Sequence, residues 1–206
     1  MPSLLFIAVV GYLLGSIPFG YLLMRFLRGQ DIRRTGSGNI GATNVARTSP
    51  QLGLLTLLLD GAKGIAAVVL AAKVFQPTGD LDRFTVLALA SLCAIAGHVF
   101  PIWLRFRGGK GVATAVGAFA VVAPGAVLVT AAIFAVIVAA TRYVSLGSVT
   151  AAAVFPLIVR MMYHDRFSVS AMMILLVASI VVIARHHQNI GRLLAGTESR
   201  FQLRRG

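Results

Sequence analysis

The sequence predicts an all-α polytopic integral membrane protein: seven transmembrane helices, an external N-terminus, a cytoplasmic C-terminus and glycine-rich cytoplasmic loops. Three observations carry that prediction. The 206 residues are 58% hydrophobic with a mean hydropathy of +0.87, more apolar surface than a soluble domain of this length carries. The apolar residues fall into near-continuous runs long enough to cross a bilayer. When the runs are threaded alternately, all 19 Lys and Arg residues except Lys63, Lys73, Arg83, Arg160 and Arg166 fall on one side, as cytoplasmic loops require. The net charge of +13 therefore reads as topology and as binding of anionic membrane lipid or substrate, and not of nucleic acid.

Leu4 to Leu27 is the first run, with Gly11, Gly15, Ser16, Pro18 and Gly20 as small or helix-breaking residues that permit close helix contacts. Arg25, Arg28, Arg33 and Arg34 follow it, so it reads as an N-out span and not as a cleavable signal, whose charges come first. Leu52 to Phe75 is the second run. It holds Asp60 and Lys63, three apart and so on one helix face. An uncompensated charge at that depth is costly, which favours a mutual ion pair that orients this helix. Gln76 to Arg83, with Pro77, Gly79, Asp80 and Asp82, is read as an external loop. Phe84 to Leu104 is the third run and returns His98, Pro101, Arg105, Arg107 and Lys110 to the cytoplasm.

The stretch from Val112 to Thr141 decides the topology. One helix of that length would measure about 45 Å at ~1.5 Å per residue, against a core of roughly 30 Å. Pro124-Gly125 divides it into a hairpin with a short outward arm, Val112 to Ala123, and a return arm, Ala126 to Thr141. The outward arm is too short for a full crossing and is expected to start or end buried in protein. A single long helix would instead export Arg142 and the basic tail. Ser145 to Tyr163 and Phe167 to Ala184 complete seven crossings. The lone Cys93 supports neither a disulfide framework nor a metal site. The chain reads as one membrane-embedded domain over residues 1–206, a monomer without cofactor or metal, since carboxylates are scarce and no His/Cys/Glu spacing suits a metal.

Under this topology three polar clusters share the cytoplasmic face. The first is Gly36-Ser37-Gly38-Asn39-Ile40-Gly41-Ala42-Thr43-Asn44, flanked by Arg33, Arg34 and Arg47. Its glycines let the backbone turn tightly and aim N–H groups at one spot, a concavity suited to anions. Ser37, Asn39, Thr43 and Asn44 add polar contacts, and arginine supplies a fork that matches phosphate. The second runs from Gly97-His98 to Gly108-Gly109-Lys110-Gly111, which leads into an apolar helix whose free N–H groups favour an anion. It is not a Walker A loop, because position 105 is Arg and position 111 is Gly, so ATP hydrolysis is a poor reading. The third is Arg185-His186-His187-Gln188-Asn189-Ile190-Gly191-Arg192, followed by Gly196-Thr197-Glu198. His186 and Asn189 stand three apart and share a helix face with Arg185 and Arg192 nearby.

Taken together, these segments resemble the acyl-phosphate:glycerol-3-phosphate acyltransferase (PlsY) family. Asp60, Lys63 and Gly64 also fit its D-x-x-K-G element, and the match runs the length of the chain in order and spacing. Arg107 and Trp103 depart mildly from the residues common there. The resemblance implies a multi-pass enzyme of the bacterial inner membrane with its active site on the cytoplasmic side. It implies transfer of a fatty acyl group from acyl-phosphate to the 1-hydroxyl of sn-glycerol 3-phosphate, giving lysophosphatidate and inorganic phosphate, without acyl-CoA or acyl carrier protein. The implied site comprises Ser37, Asn39, Thr43, Asn44, Arg47, Lys110, His186, Asn189 and Glu198, with Ser148 as a further member. Two phosphate-bearing substrates need two anion cradles. Ser37 and Arg47 with glycines 36, 38 and 41 would form one, and Lys110 with Gly108, Gly109, Gly111 and the following helix start the other. Asn189 or a backbone N–H would face the oxyanion, and His186 or a donor phosphate oxygen would take the proton. A transporter would also want basic loops and broken helices, but it places polar residues near the midplane, where only Asp60 and Lys63 lie. A structural membrane protein using its basic face to bind anionic lipid is the second alternative.

Overall fold

The computed structural model describes residues 2–75 and 82–200. Gln76, Pro77, Gly79 and Asp80 of the expected external loop, and Arg204 and Arg205 of the tail, lie outside the described residues. The described chain is all-helical: α1 (Pro2–Ser16), α2 (Phe19–Arg28), α3 (Ala42–Thr48), α4 (Pro50–Val74), α5 (Arg83–Val99), α6 (Val112–Val122), α7 (Pro124–Thr141), α8 (Val144–Tyr163), α9 (Val169–Ala184) and α10 (His187–Leu194).

The first apolar run is broken where Pro18 removes an N–H and its ring crowds the preceding turn. The second arm, α2, ends at Gly29, whose φ of +65° is the left-handed conformation that closes helices. Asp31 then caps a short 3₁₀ turn over Ile32–Arg34, accepting from the Arg33 N–H at 3.0 Å and gripping its guanidinium at 2.7 and 2.9 Å. That pair holds the Asp31 carboxyl down at about 2. Pro50 and Pro124 start α4 and α7 at positions where the missing N–H is harmless.

Among the described residues, five stretches are long and apolar enough to cross a membrane: Leu4–Arg28, Pro50–Val74, Arg83–Leu104, Pro124–Thr141 and Val144–Tyr163. A sixth is α9 followed by α10, bent by 57°. The polar α10 leaves the line of α9 there, so α9 alone is the apolar segment. The outward arm of the expected hairpin is α6, which at ~1.5 Å per residue is only about 16 Å long. Length alone thus supports five or six crossings, and the seventh segment, α6, is the one shorter than a bilayer. The divide at Pro124 is where the sequence places it: the Gly125 N–H bonds the Tyr163 hydroxyl (3.0 Å) at the far end of α8. At that same end Asp82, the cap of α5, accepts from the hydroxyl of Ser168, the cap of α9, at 2.6 Å.

Between lipid-exposed helices there is no hydrophobic driving force, so close backbone approach must do the work. Gly15 of α1 lies on the backbone of Ala94 in α5, and Gly97 of α5 on the Tyr12 carbonyl. Gly64 of α4 faces the Thr114 carbonyl of α6, and Gly117 of α6 faces the Gly61 carbonyl. A core of Val68, Val86, Ile95, Val99, Phe119 and Leu175 fills the centre. Substituting Gly64 or Gly117 with Ala puts a Cβ onto backbone, which cannot yield as a side chain would. Each is expected to destabilise the bundle by about 1–3 kcal/mol, read as a lower unfolding temperature in detergent, whereas Gly191→Ala, in open space, leaves it unchanged.

Candidate functional site

The three clusters meet at one end of the bundle. Asn44, buried at the start of α3, is the centre of the first. Its Oδ1 accepts from the Ser37 N–H (2.9 Å), and its Nδ2 donates to the carbonyls of Asn39 (2.9 Å), Thr35 (3.0 Å) and Ile32 (3.3 Å). The Gly41 N–H bonds Asn39 Oδ1 (2.8 Å) and the Gly38 N–H bonds the Thr35 carbonyl (3.0 Å). The expectation that this loop's amides converge on an anion is therefore corrected at Ser37, Gly38 and Gly41, whose N–H groups are occupied within the loop. Gly36 is required because a Cβ there would strike Asn44 Oδ1. What the loop leaves outward are the exposed side chains of Ser37, Thr43 and Arg47.

The second cluster is pinned the same way. The Gly108 N–H bonds the Val99 carbonyl (3.2 Å) and the Gly109 N–H bonds the His98 carbonyl (3.0 Å). These two amides also do not face an anion. Arg185, from the third cluster, reaches across to the carbonyls of Gly108 and Gly109, both at 3.4 Å. Gly111 at φ +84° then turns the chain into α6, whose first N–H groups have no side-chain cap. Lys110 stands at this helix start. Burial pushes its ammonium down to about 8; Glu198 opposes the shift, and Arg192, Arg47 and Arg185 add to it. Charges from all three clusters therefore act on one lysine.

Glu198 ties the third cluster together. Its Oε1 accepts from the Asn189 amide (2.6 Å) and the Ser145 hydroxyl (2.7 Å), and its Oε2 pairs with Arg192 (2.7 Å). Burial alone would raise its carboxyl, but these three bonds hold it below the usual range. The neighbouring Ser199 takes a hydrogen bond on its Oγ from Arg47 of α3 at 2.7 Å, joining the tail to the first cluster. His186 is buried, with Nδ1 2.8 Å from the Val182 carbonyl. An N–H must fill that contact, so Nε2 carries the lone pair. Burial lowers this imidazole to about 4, leaving it neutral near pH 7.

Asp60 and Lys63 form the expected ion pair (2.9 Å), and His98 Nδ1 lies 3.6 Å from the same carboxylate oxygen. Beside Lys110 and His186, a cleft of about 60 Å³ opens between α6, α7, α8 and α9, lined by Val112, Phe119, Ser148, Phe155, Ser179 and Val182. Ser148 belongs to this apolar cleft, and its hydroxyl bonds back to the Val144 carbonyl at 2.9 Å. Ser145, one turn earlier, is the serine that reaches the charged cluster. Sequence reading also passed over Arg185 and Arg192 as site members, although both flank the His186 and Asn189 it singled out. Nothing in the sequence marks Ser199.

The family model for glycerol-3-phosphate acyltransferase matches residues 5–196. A glycerol-3-phosphate acyltransferase of Syntrophotalea carbinolica is 47% identical over 203 residues, 98% of this chain and 100% of the relative. That of Geobacter sulfurreducens is 49% identical over 199 residues, 96% of this chain and 97% of its own. The crystal structure of PlsY (YgiH), an integral membrane glycerol 3-phosphate acyltransferase, in its glycerol 3-phosphate form matches with a TM-score of 0.87 at 38% identity, covering 97% of this chain and 96% of that one. Its lysophosphatidic acid form matches with a TM-score of 0.85 at 37% identity and the same coverage. With a family model across nearly the whole chain, relatives near half identical and a matching fold, the chain belongs to the glycerol-3-phosphate acyltransferase family of integral membrane enzymes.

Proposed function

We propose that the chain transfers a fatty acyl group from acyl-phosphate to the 1-hydroxyl of glycerol 3-phosphate at the cytoplasmic face of the bacterial inner membrane. The observation that carries this reading is the arrangement at Lys110: Arg47, Arg185 and Arg192 lie close enough to depress its pKa, Glu198 counters them while pairing with Arg192, and an apolar cleft opens nearby. Such a place suits a molecule with a phosphate head and a hydrocarbon tail. Seven crossings, N-out and C-in, with α6 as a short buried arm, put every one of these cations on the cytoplasmic side. The chain works as a single domain, as a monomer and without a cofactor.

In the proposed reaction the 1-hydroxyl oxygen attacks the acyl carbonyl carbon, the carbon–oxygen bond to phosphate breaks, and inorganic phosphate leaves with the bond electrons. An acyl-phosphate is an activated anhydride, so the enzyme's task is to hold two dianionic groups together and stabilise the oxyanion. Lys110 and the α6 start hold one phosphate; Ser37, Thr43 and Arg47 hold the other. Asn39 and Asn44, with Gly36, Gly38 and Gly41, shape the first loop, and Gly108, Gly109 and Gly111 shape the second. Glu198 sets Asn189 and Arg192, leaving one Asn189 N–H for the oxyanion. An imidazole held at about 4 is a weaker base than a phosphate oxygen with a second pKa of about 6. The hydroxyl proton therefore goes to the donor phosphate, and His186 Nε2 orients the hydroxyl. The acyl tail lies in the cleft between α6 and α8.

Phosphate release from acyl-phosphate that depends on glycerol 3-phosphate, with purified protein in detergent, tests the reaction against the transporter reading. Lys110 is charged below about 8 and neutral above it, so kcat/KM for acyl-phosphate is expected to fall about tenfold per pH unit above that value. Lys110→Arg, whose guanidinium stays protonated throughout, should remove this alkaline limb while lowering the plateau. For His186→Ala, turnover is expected to fall about tenfold with an unmoved pH profile. A loss of about 10³-fold together with a vanished acidic limb would make the imidazole the base.

A further inference from the structure

The buried ionic cluster in the middle of the bundle plays no part in the reaction just described. Asp60, Lys63 and His98 are each at most 4% exposed. Lys63 Nζ pairs with Asp60 Oδ1 at 2.9 Å, and His98 Nδ1 stands 3.6 Å from that same oxygen. Neither Asp60 Oδ1 nor His98 Nδ1 has an aligned hydrogen bond, so these are charge contacts held by packing. Burying such a group is expensive, and for stability alone well-packed apolar residues often serve as well. The contacts that leave the cluster indicate what it does.

One contact runs to the first loop. Lys63 Nζ donates to the Ile17 carbonyl at 2.7 Å, at the break that Pro18 makes between α1 and α2. One turn on, Gly20 presses against the Ile40 carbonyl of the first glycine loop and the Thr56 methyl of α4. The other contact runs to the second loop. The His98 ring, through its Nε2 edge, fills the space where a Cβ on Gly109 would sit, and the His98 carbonyl accepts the Gly109 N–H at 3.0 Å. Arg185 holds the same two glycines by their carbonyls. Gly109 is the residue before Lys110, so a shift of the imidazole shifts the lysine.

We propose that Asp60, acting through Lys63 in one direction and His98 in the other, is the spacer that sets the separation between the two phosphate-holding loops. The three are positioning residues, and the assignment rests on the reading of those loops given above. Acyl transfer without an enzyme-bound intermediate depends on near-attack geometry, and a misplacement of about 1 Å costs about 10²-fold in rate. A loop that moves as a unit keeps its own side chains and still binds its own phosphate, so loss of the spacer is felt in kcat more than in either KM.

The test is steady-state kinetics in both substrates on purified Asp60→Asn, His98→Ala, His98→Asn and the Asp60→Asn/His98→Ala pair. Each is first checked for a monodisperse peak and a cooperative thermal transition in detergent. Asp60→Asn and His98→Ala are expected to lower kcat about 10²-fold with both KM values within about threefold of wild type. His98→Asn, which returns an N–H toward Asp60, recovers at least about tenfold of the His98→Ala loss, and the double variant is no slower than the worse single because both act through one contact. Folded single variants with kcat within about fivefold of wild type, losses carried in KM, or losses that multiply in the double variant would overturn the proposal. Where Asp60→Asn does not fold, the His98→Ala and His98→Asn pair decides alone. A wild-type protein that transfers no acyl group sinks the reading of the two loops and this one with it; wild-type transfer with unaffected variants sinks only this one.

Discussion

Four cations gathered at one end of a membrane bundle repel one another, and one carboxylate, two glycine carbonyls and a serine hydroxyl hold three of them in place. Glu198 takes hydrogen bonds from Ser145 at the start of α8 and from Asn189 and Arg192 on α10. Its charge also opposes the lowering of the Lys110 pKa. With Arg47 held by the next residue, Ser199, the tail stitches three distant segments into one surface. One acid among Arg47, Lys110, Arg185 and Arg192 leaves a large excess of positive charge. Glu198 pairs with Arg192, and the remaining cations keep a positive excess from which an arriving phosphate would gain electrostatically while little protein moves.

That surface depends on how closely the helices below it approach. The glycines of α1, α4, α5 and α6 let carbonyls of one helix touch the backbone of the next, the form of packing available where lipid and side chains are equally apolar. The α4–α6 contact also carries the chemistry. It brings Asp60 and Lys63 beneath the residues that lead into α6, so Lys110 is set by a helix crossing as much as by its own loop. In the proposed site the shortness of α6 follows from the same place: a helix that starts at a buried phosphate site has less than the full membrane thickness left to cross.

Much of this was legible in the chain because bilayer physics is crude and strong. Runs such as Pro50–Val74 and Val144–Tyr163 declare themselves by length, and Pro124 divides the hairpin because it cannot sit inside a helix without breaking a hydrogen bond. The polar clusters declare themselves by glycine and arginine. Their inner wiring did not. Ser37, Gly38 and Gly41 look like a nest of free amides until Asn44 and Asn39 turn inward to occupy two of them. An asparagine can serve as ligand or as scaffold, and only tertiary placement chooses. Ser145 and Ser148 lie three apart on α8, on one face but about a turn apart along the axis, which places one at Glu198 and the other in the apolar cleft. The bond from Arg47 to Ser199 joins residues 152 apart and leaves no local trace.

The division of labour between the two glycine loops follows from which of their atoms remain unpaired. In the first, the side chain of Asn44 fixes the backbone, so recognition falls to the exposed Ser37, Thr43 and Arg47. In the second, Gly108 and Gly109 bond back to the end of α5, and recognition falls to Lys110 and the uncapped start of α6. The first site is exposed side chains on a hydrogen-bonded loop at the surface. The second is a half-buried cation on a helix axis, beside the mouth of the apolar cleft. A soluble, compact phosphate ester exchanges readily at the first kind of site. A phosphate with a long hydrocarbon tail fits the second, where its charge meets Lys110 and its chain continues directly between α6 and α8. In the proposed reaction the donor thus sits at Lys110 and the acceptor at the Ser37–Arg47 loop, an arrangement that lets the tail leave the reaction centre without crossing the acceptor's path.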